Sequence, residues 1–239
     1  MMKKLSKALR GFLDRVLEKP FPRKKSKVKV GDTIPSLGGM EWYVLRVVDG
    51  MRFATPRALI ITKDIVRADP YNTKQDNAVP VINGGKQANV TWEHSSLRAY
   101  LNGNFFNTNF QEEKGEQKLI AVTPVPNYPN PKHGKGAQCG TEDRIFLLDD
   151  EEARKYFSKE EKKNRIAKPS EEMLKHENNC KSWWLRTPGK SPETALVVDE
   201  HGDIDFAGVY AGLTHGVRPV LWRKLPDMLE ASAPPSGSN

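Results

Sequence analysis

This chain of 239 residues contains two cysteines, Cys139 and Cys180, and no Cys-x-x-Cys pair. That scarcity excludes a disulfide-framed fold and the usual zinc-binding spacings. The two thiols could form one bridge in an oxidising compartment, but the expectation is two free thiols. No apolar run nears the roughly 18 residues of a membrane-spanning helix. None of the five histidines sits four residues from another, as a helical zinc pair requires. "INGGKQ" is too short for a phosphate-cradling loop and lacks the following Ser or Thr, and no G-x-S-x-G elbow occurs. "DEHGDID" spaces Asp199, Asp203 and Asp205 in a way that hints at calcium, but without the ligand order or later glutamate of an EF-hand. It reads as a carboxylate-rich turn between strands. No catalytic residue, metal or cofactor is therefore expected.

What is present begins with charge. The chain carries +8, yet residues 1–30 alone hold 11 Lys/Arg against Asp14 and Glu18, a net of +9, so residues 31–239 sum to 8 − 9 = −1. In "KLSKALRGFLDRVLEK", Leu5, Leu9, Phe12, Leu13, Val16 and Leu17 recur at helical spacing opposite Lys and Arg. Pro20 and Pro22 end that helix, and "RKKSKVK" follows as a solvated basic linker. The leader, residues 1–29, can dock on a membrane surface, an acidic partner or another copy of the chain, or pack on its own domain. Without interleaved aromatics, nucleic acid is not expected as the main partner. Arg10, Asp14, Arg15 and Glu18 interrupt any signal-peptide core, so no cleaved signal is expected. The expected location is the cytoplasm or a virion.

From residue 30 the pattern is α+β. "GMEWYVLRVVDGMRFATPRALIITKDIV" gives short strands, and "SSLRAYLNGNFFNTNF" a helix capped by Ser95 or Ser96 with Leu97, Tyr100, Leu101 and Phe105 on one face. "RIFLL" reads as a strand, and "DDEEARKYF" as a helix with Asp149 and Glu152 at capping-box spacing. "KPSEEMLKH" gives a short helical turn. "SWWLRTPG", "TALVVD" and "GVRPVLWRKL" are further strands. Arg186 and Arg218 lie within apolar strands, so each needs a carboxylate or carbonyl partner inside. The expected division is a leader (1–29), a folded domain (30–226) and a disordered tail (227–239).

Between those strands lies a chemically mixed segment, Asp199–His215, with no steady alternation. Gly202, Gly208, Gly212 and Gly216 let its backbone hold a path independent of its side chains. Tyr210 and Phe206 supply rigid contact area, while Asp, His and Thr supply adaptable hydrogen bonds.

"WWLRTPG", "ALVVDEHGDI" and "GVRPVLW", with "VGDTI", "WYVLRV", "VTWEHSSLRAYLNGNFFNTNF" and "TEDRIFLLDDEEARKYF" upstream, resemble the domain-of-unknown-function family 6273 over roughly residues 30–225. That family is similar to proteins of the C-type lectin-like fold, in the branch holding formylglycine-generating enzymes and the variable proteins diversified by retroelements. The resemblance implies two helices, short antiparallel sheets and long loops. It also implies a non-enzymatic ligand-binding module that displays variable side chains just before a G-V-R-P strand. The displayed positions would be Asp199, Glu200, His201, Asp203, Asp205 and Phe206, then Ala207, Tyr210, Ala211, Leu213, Thr214 and His215, with Trp183 at the edge. The ligand would be a protein or a surface glycan. Neither the E-P-N nor the W-N-D motif of calcium-dependent lectins is present, and no cysteine follows Cys180. Both absences depart from relatives that bind sugar through calcium or oxidise cysteine. Two other expectations stand beside this one: an oxidase or other cysteine-dependent enzyme using Cys139 or Cys180, and a structural component of a phage or cell-surface assembly.

Overall fold

A computed structural model describes residues 25–50, 55–73, 81–82, 86–87, 90–134, 140–157, 162–176 and 178–226. Most of the expected leader helix and linker, Cys139 and the tail lie outside these residues. Among the described residues, no helix is long and apolar enough to cross a membrane.

The strands, in chain order, are β1 (Thr33–Leu37), β2 (Met40–Val48), β3 (Arg57–Thr62), β4 (Arg67–Pro70), β5 (Val81–Ile82), β6 (Lys86–Gln87), β7 (Ile120–Ala121), β8 (Thr123–Val125), β9 (Thr141–Asp143), β10 (Trp183–Pro188), β11 (Thr194–Val198), β12 (Ile204–Tyr210), β13 (Thr214–Val217) and β14 (Val220–Lys224). They form one five-stranded sheet in the order β1-β2-β3-β14-β7 and a second in the order β12-β11-β10-β13-β4, with β5-β6 and β8-β9 as small pairs. All named pairings are antiparallel except β10 with β13. The architecture is mixed α+β, dominated by short antiparallel sheets with few helices.

Apolar sequence explains the centre of each sheet. In β3 everything after Arg57 is buried, and in β10 every residue is, as strands covered on both faces require. Each of Leu59, Ile60 and Ile61 removes enough apolar surface from water to contribute about 1.5–3 kcal/mol. The two sheets share one core with the helix that opens at α1 (Ser96–Tyr100). Ser95 caps it, accepting from the Arg98 amide. A π-helical turn, Leu101–Phe105, leads on into α2 (Phe106–Asn109). The extra residue in that turn rotates the helix face, so that Phe106 is buried beside Phe105, which simple helical spacing does not anticipate.

Three expectations are corrected. "RIFLL" forms no strand: only Phe146 bridges, to Val220, while β9 lies just before it. "GVRPVLWRKL" is two strands in different sheets. Pro219 has no N–H to donate, and at Arg218-Pro219 the chain leaves β13 in the second sheet and enters β14 in the first. The mixed segment is not an irregular loop. It contains β12, the edge strand of the second sheet, bounded by two turns.

The stretch from β3 to β14 also closes on itself. Arg57, at the start of β3, pairs with Lys224 at the end of β14, and the Leu225 amide donates to Pro56 O at 2.8 Å.

Candidate functional site

The segment Asp199–His215 is pinned by its backbone. In the β11–β12 turn, the Asp199 carboxylate accepts from the amides of His201 and Asp203 at 2.9 and 2.8 Å. The Asp203 carboxylate pairs with Lys162 at 2.6 Å, and Asp205 accepts from the Ala207 amide at 2.9 Å. Arg165, at the end of α3 (Lys162–Arg165), donates to Gly202 O at 3.1 Å and to Phe157 O at 2.7 Å, docking the turn on that helix. These three carboxylates are thus engaged in holding the chain's path.

Along β12, the ladder to β11 slips in register between Ala195 and Val197. Gly208 takes up the slip as a bulge, with φ at +76°. From below, the buried Asn130 amide donates to Pro188 O and Phe206 O, each at 3.0 Å, tying the chain that follows β8 to both β10 and β12. Lys132 Nζ lies 3.9 Å from the centre of the Phe206 ring, which is half-buried on the inner side with Ile204 and Val209. At the second turn, the Ala211 amide donates to Glu193 O and its carbonyl accepts from the Asn72 amide, both at 2.9 Å.

The side chains divide accordingly. Glu200, His201, Asp203, Asp205, Ala207, Tyr210, Leu213 and Thr214 are exposed, with Tyr210 at 46% and Leu213 at 51% large apolar groups on one turn. Trp183 and Ala211 are not displayed: both are fully buried, Trp183 donating from its indole to Arg165 O at 3.0 Å and Ala211 anchoring the turn. The displayed residues also separate in space. Glu200 and His201 border a cleft at one end of β12, while Tyr210, Leu213 and Thr214 lie at the other, roughly 20 Å away at strand rise.

His215 is part of the support. Its Nδ1 lies 2.6 Å from Ser182 Oγ, its ring meets Trp184 edge-on at 4.8 Å, and burial pushes its imidazole below the ordinary value. The unfolded chain therefore takes up a proton first as pH falls through about 6.5, so the stability tied to the neutral ring is present above that pH and lost below it. In urea melts at about pH 7.5 and about pH 5.5, the native chain is expected to lose more stability than His215→Asn; equal losses would remove this role. Cys180 lies nearby, but its thiol is turned to Ser182 O at 3.3 Å and not to the histidine.

The cleft was not anticipated from sequence. It measures about 780 Å³ and is lined by Thr33, Tyr43, Lys63, Asp64, the end of α3 with the residues just after it, and Lys181 ahead of β10, as well as by Glu200, His201 and Arg218. Arg186 and Arg218 both find the partners their burial demands. Among the described residues, Arg218 donates to backbone carbonyls alone, including Thr62 O at 2.9 Å. Arg186 meets Asp149 and Glu152. Burial opposes the charge on Arg186, but those two carboxylates outweigh it and raise the guanidinium above its ordinary value.

A family model described as a domain of unknown function (DUF6273) matches residues 57–225. No curated protein and no solved structure matches the chain.

Proposed function

The chain belongs to the family of domains of unknown function DUF6273, and from that premise we propose a non-catalytic, receptor-like ligand-binding module on a C-type lectin-like scaffold. Its contact surface is the outward face and far turn of β12, and its ligand is a protein or a surface glycan held by shape and hydrogen bonding. The scaffold reading is supported by the two short sheets around one core and by β3 and β14, the first and last strands of the family-matched stretch 57–225, which pair side by side.

One observation carries the binding reading. The backbone of 199–215 is secured by ladder bonds, Asn130, a glycine bulge and local carboxylates, while the Ala207, Tyr210, Leu213 and Thr214 side chains turn outward. Among the described residues, the Tyr210 and Thr214 hydroxyls have no hydrogen-bond partner. A frame whose path does not depend on those side chains tolerates their replacement, which a retroelement-diversified surface requires. Tyrosine on such a frame gives a large contact with few rotatable bonds.

A library randomising Ala207, Tyr210, Leu213 and Thr214 tests this. Most members are expected to melt cooperatively within about 5 °C of the native chain, since exposed substitutions cost little. On an array of bacterial surface glycans and purified surface proteins, Tyr210→Ala with Leu213→Ala is expected to abolish the native chain's binding. A library that largely fails to fold would sink the reading.

A further inference from the structure

We propose that the cleft beside the β11–β12 turn is an anion-selective site for a sugar-sized ligand bearing two or more sulfate or phosphate groups. The inference is independent of binding at the far turn of β12, which contributes nothing to the cleft.

Charge and volume carry it. About 780 Å³ suits a small-molecule ligand. Lys63, Lys163, Lys168, Lys181 and Arg218 give five positive charges against two from Asp64 and Glu200, a local +3 in a body whose residues 31–239 sum to −1. Lys63 has Glu41 at 2.8 Å and Lys181 has Glu200 at 4.0 Å. Among the described residues, the ammonium groups of Lys163 and Lys168 have no carboxylate partner.

The deepest charge is Arg218, 2% exposed. Its Nε and Nη2 donate to Thr62 O at 3.1 and 2.9 Å, Nη2 also to Lys63 O at 3.1 Å, and Nη1 to Arg165 O at 3.4 Å. A guanidinium carries five N–H groups, so among the described residues these four bonds leave one on Nη1. Every acceptor is a neutral carbonyl. Burial lowers the group to about 10, partly countered by Asp64, so it stays protonated at neutral pH. Among the described residues no carboxylate contacts this buried cation, and beneath a rim of lysines it focuses positive potential into the cleft.

The chemistry of the rim narrows the ligand. Lysine ammonium groups act as point charges suited to tetrahedral oxyanions, without the planar fork that selects carboxylates. Between them, Asn164 donates to the Tyr43 hydroxyl at 3.2 Å, and Tyr43 with Ile166 supplies apolar surface for a sugar ring.

Titration calorimetry of the full chain tests the site with three probes: a heparin-derived sulfated disaccharide, glucose 1,6-bisphosphate and lactose. At least one of the two anionic probes is expected to bind, lactose is not, and raising salt from about 50 to about 200 mM weakens binding roughly tenfold through screening. Which anion binds distinguishes sulfated from phosphorylated sources. Lys163→Glu and Lys168→Glu, both at exposed side chains, each weaken binding at least tenfold. Lys190→Glu, an exposed lysine outside the cleft, and Tyr210→Ala leave it unchanged. No binding by either anion, equal binding of lactose, or equal loss in the Lys190→Glu control overturns the proposal. If Tyr210→Ala leaves anion binding intact but removes array binding, the two sites stand separately.

Discussion

Asp149→Ala is expected to destabilise the chain by about 3–5 kcal/mol, lowering the melting temperature by roughly 6–20 °C for a domain of this size. Two losses combine. Asp149 caps the helix Asp150–Tyr156, its Oδ1 accepting from the Glu152 amide at 2.7 Å while Glu152 reaches back to the Asp149 amide at 3.1 Å. A lost cap alone costs about 1 kcal/mol. The larger loss is electrostatic: Oδ2 sits 2.5 Å from Nη2 of Arg186, whose side chain is 1% exposed in the centre of β10. Removing the carboxylate leaves a buried guanidinium sharing only Glu152 and carbonyl oxygens. Asp149→Asn retains a capping oxygen without the charge and should fall between the native chain and the alanine variant. Chemical denaturation of both variants measures the difference, and a cost near 1 kcal/mol for Asp149→Ala would show that the cap is all that matters.

Gly208→Ala is expected to cost about 2–4 kcal/mol, although Gly208 is at the edge of a sheet. At φ +76° an L-residue is strained, and an added Cβ would lie 2.7 Å from Ala195 O and 3.0 Å from the Gly189 Cα. Both neighbours are backbone, so β11 or β12 must move. The neighbouring Ala207→Ser, at an exposed position, should change stability by less than about 0.5 kcal/mol. Thermal melts of the pair separate frame from display, and similar small effects in both would mean that the bulge imposes no fixed path on β12.

Some of this was legible in the chain itself. The apolar runs of β3, β10 and β11 announce strands, and Asp149 and Glu152 announce a capping box by spacing alone. β12 was not legible, for a specific reason. Ile204 and Phe206 keep the two-residue period of a strand, but the bulge at Gly208 moves the next inward residue to Val209, which breaks the alternation. Pro219 hides a change of sheet inside what reads as one apolar run. Trp183, which the resemblance puts at the site's edge, is buried, its indole finding an acceptor inside at Arg165 O. The cleft was invisible because Lys63, the Lys163–Lys168 stretch and Lys181 lie far apart in the sequence, and a near-neutral total conceals a local excess that only folding assembles.

The pairing of Arg57 with Lys224 has a consequence for how this unit can travel. Residues whose Cα atoms are opposed on adjacent antiparallel strands lie about 5 Å apart. A host protein need open only one surface loop by that width to accommodate everything from β3 to β14 as a graft. The β1–β2 hairpin then flanks β3 on the side away from β14, shielding an edge that would otherwise invite pairing with other chains.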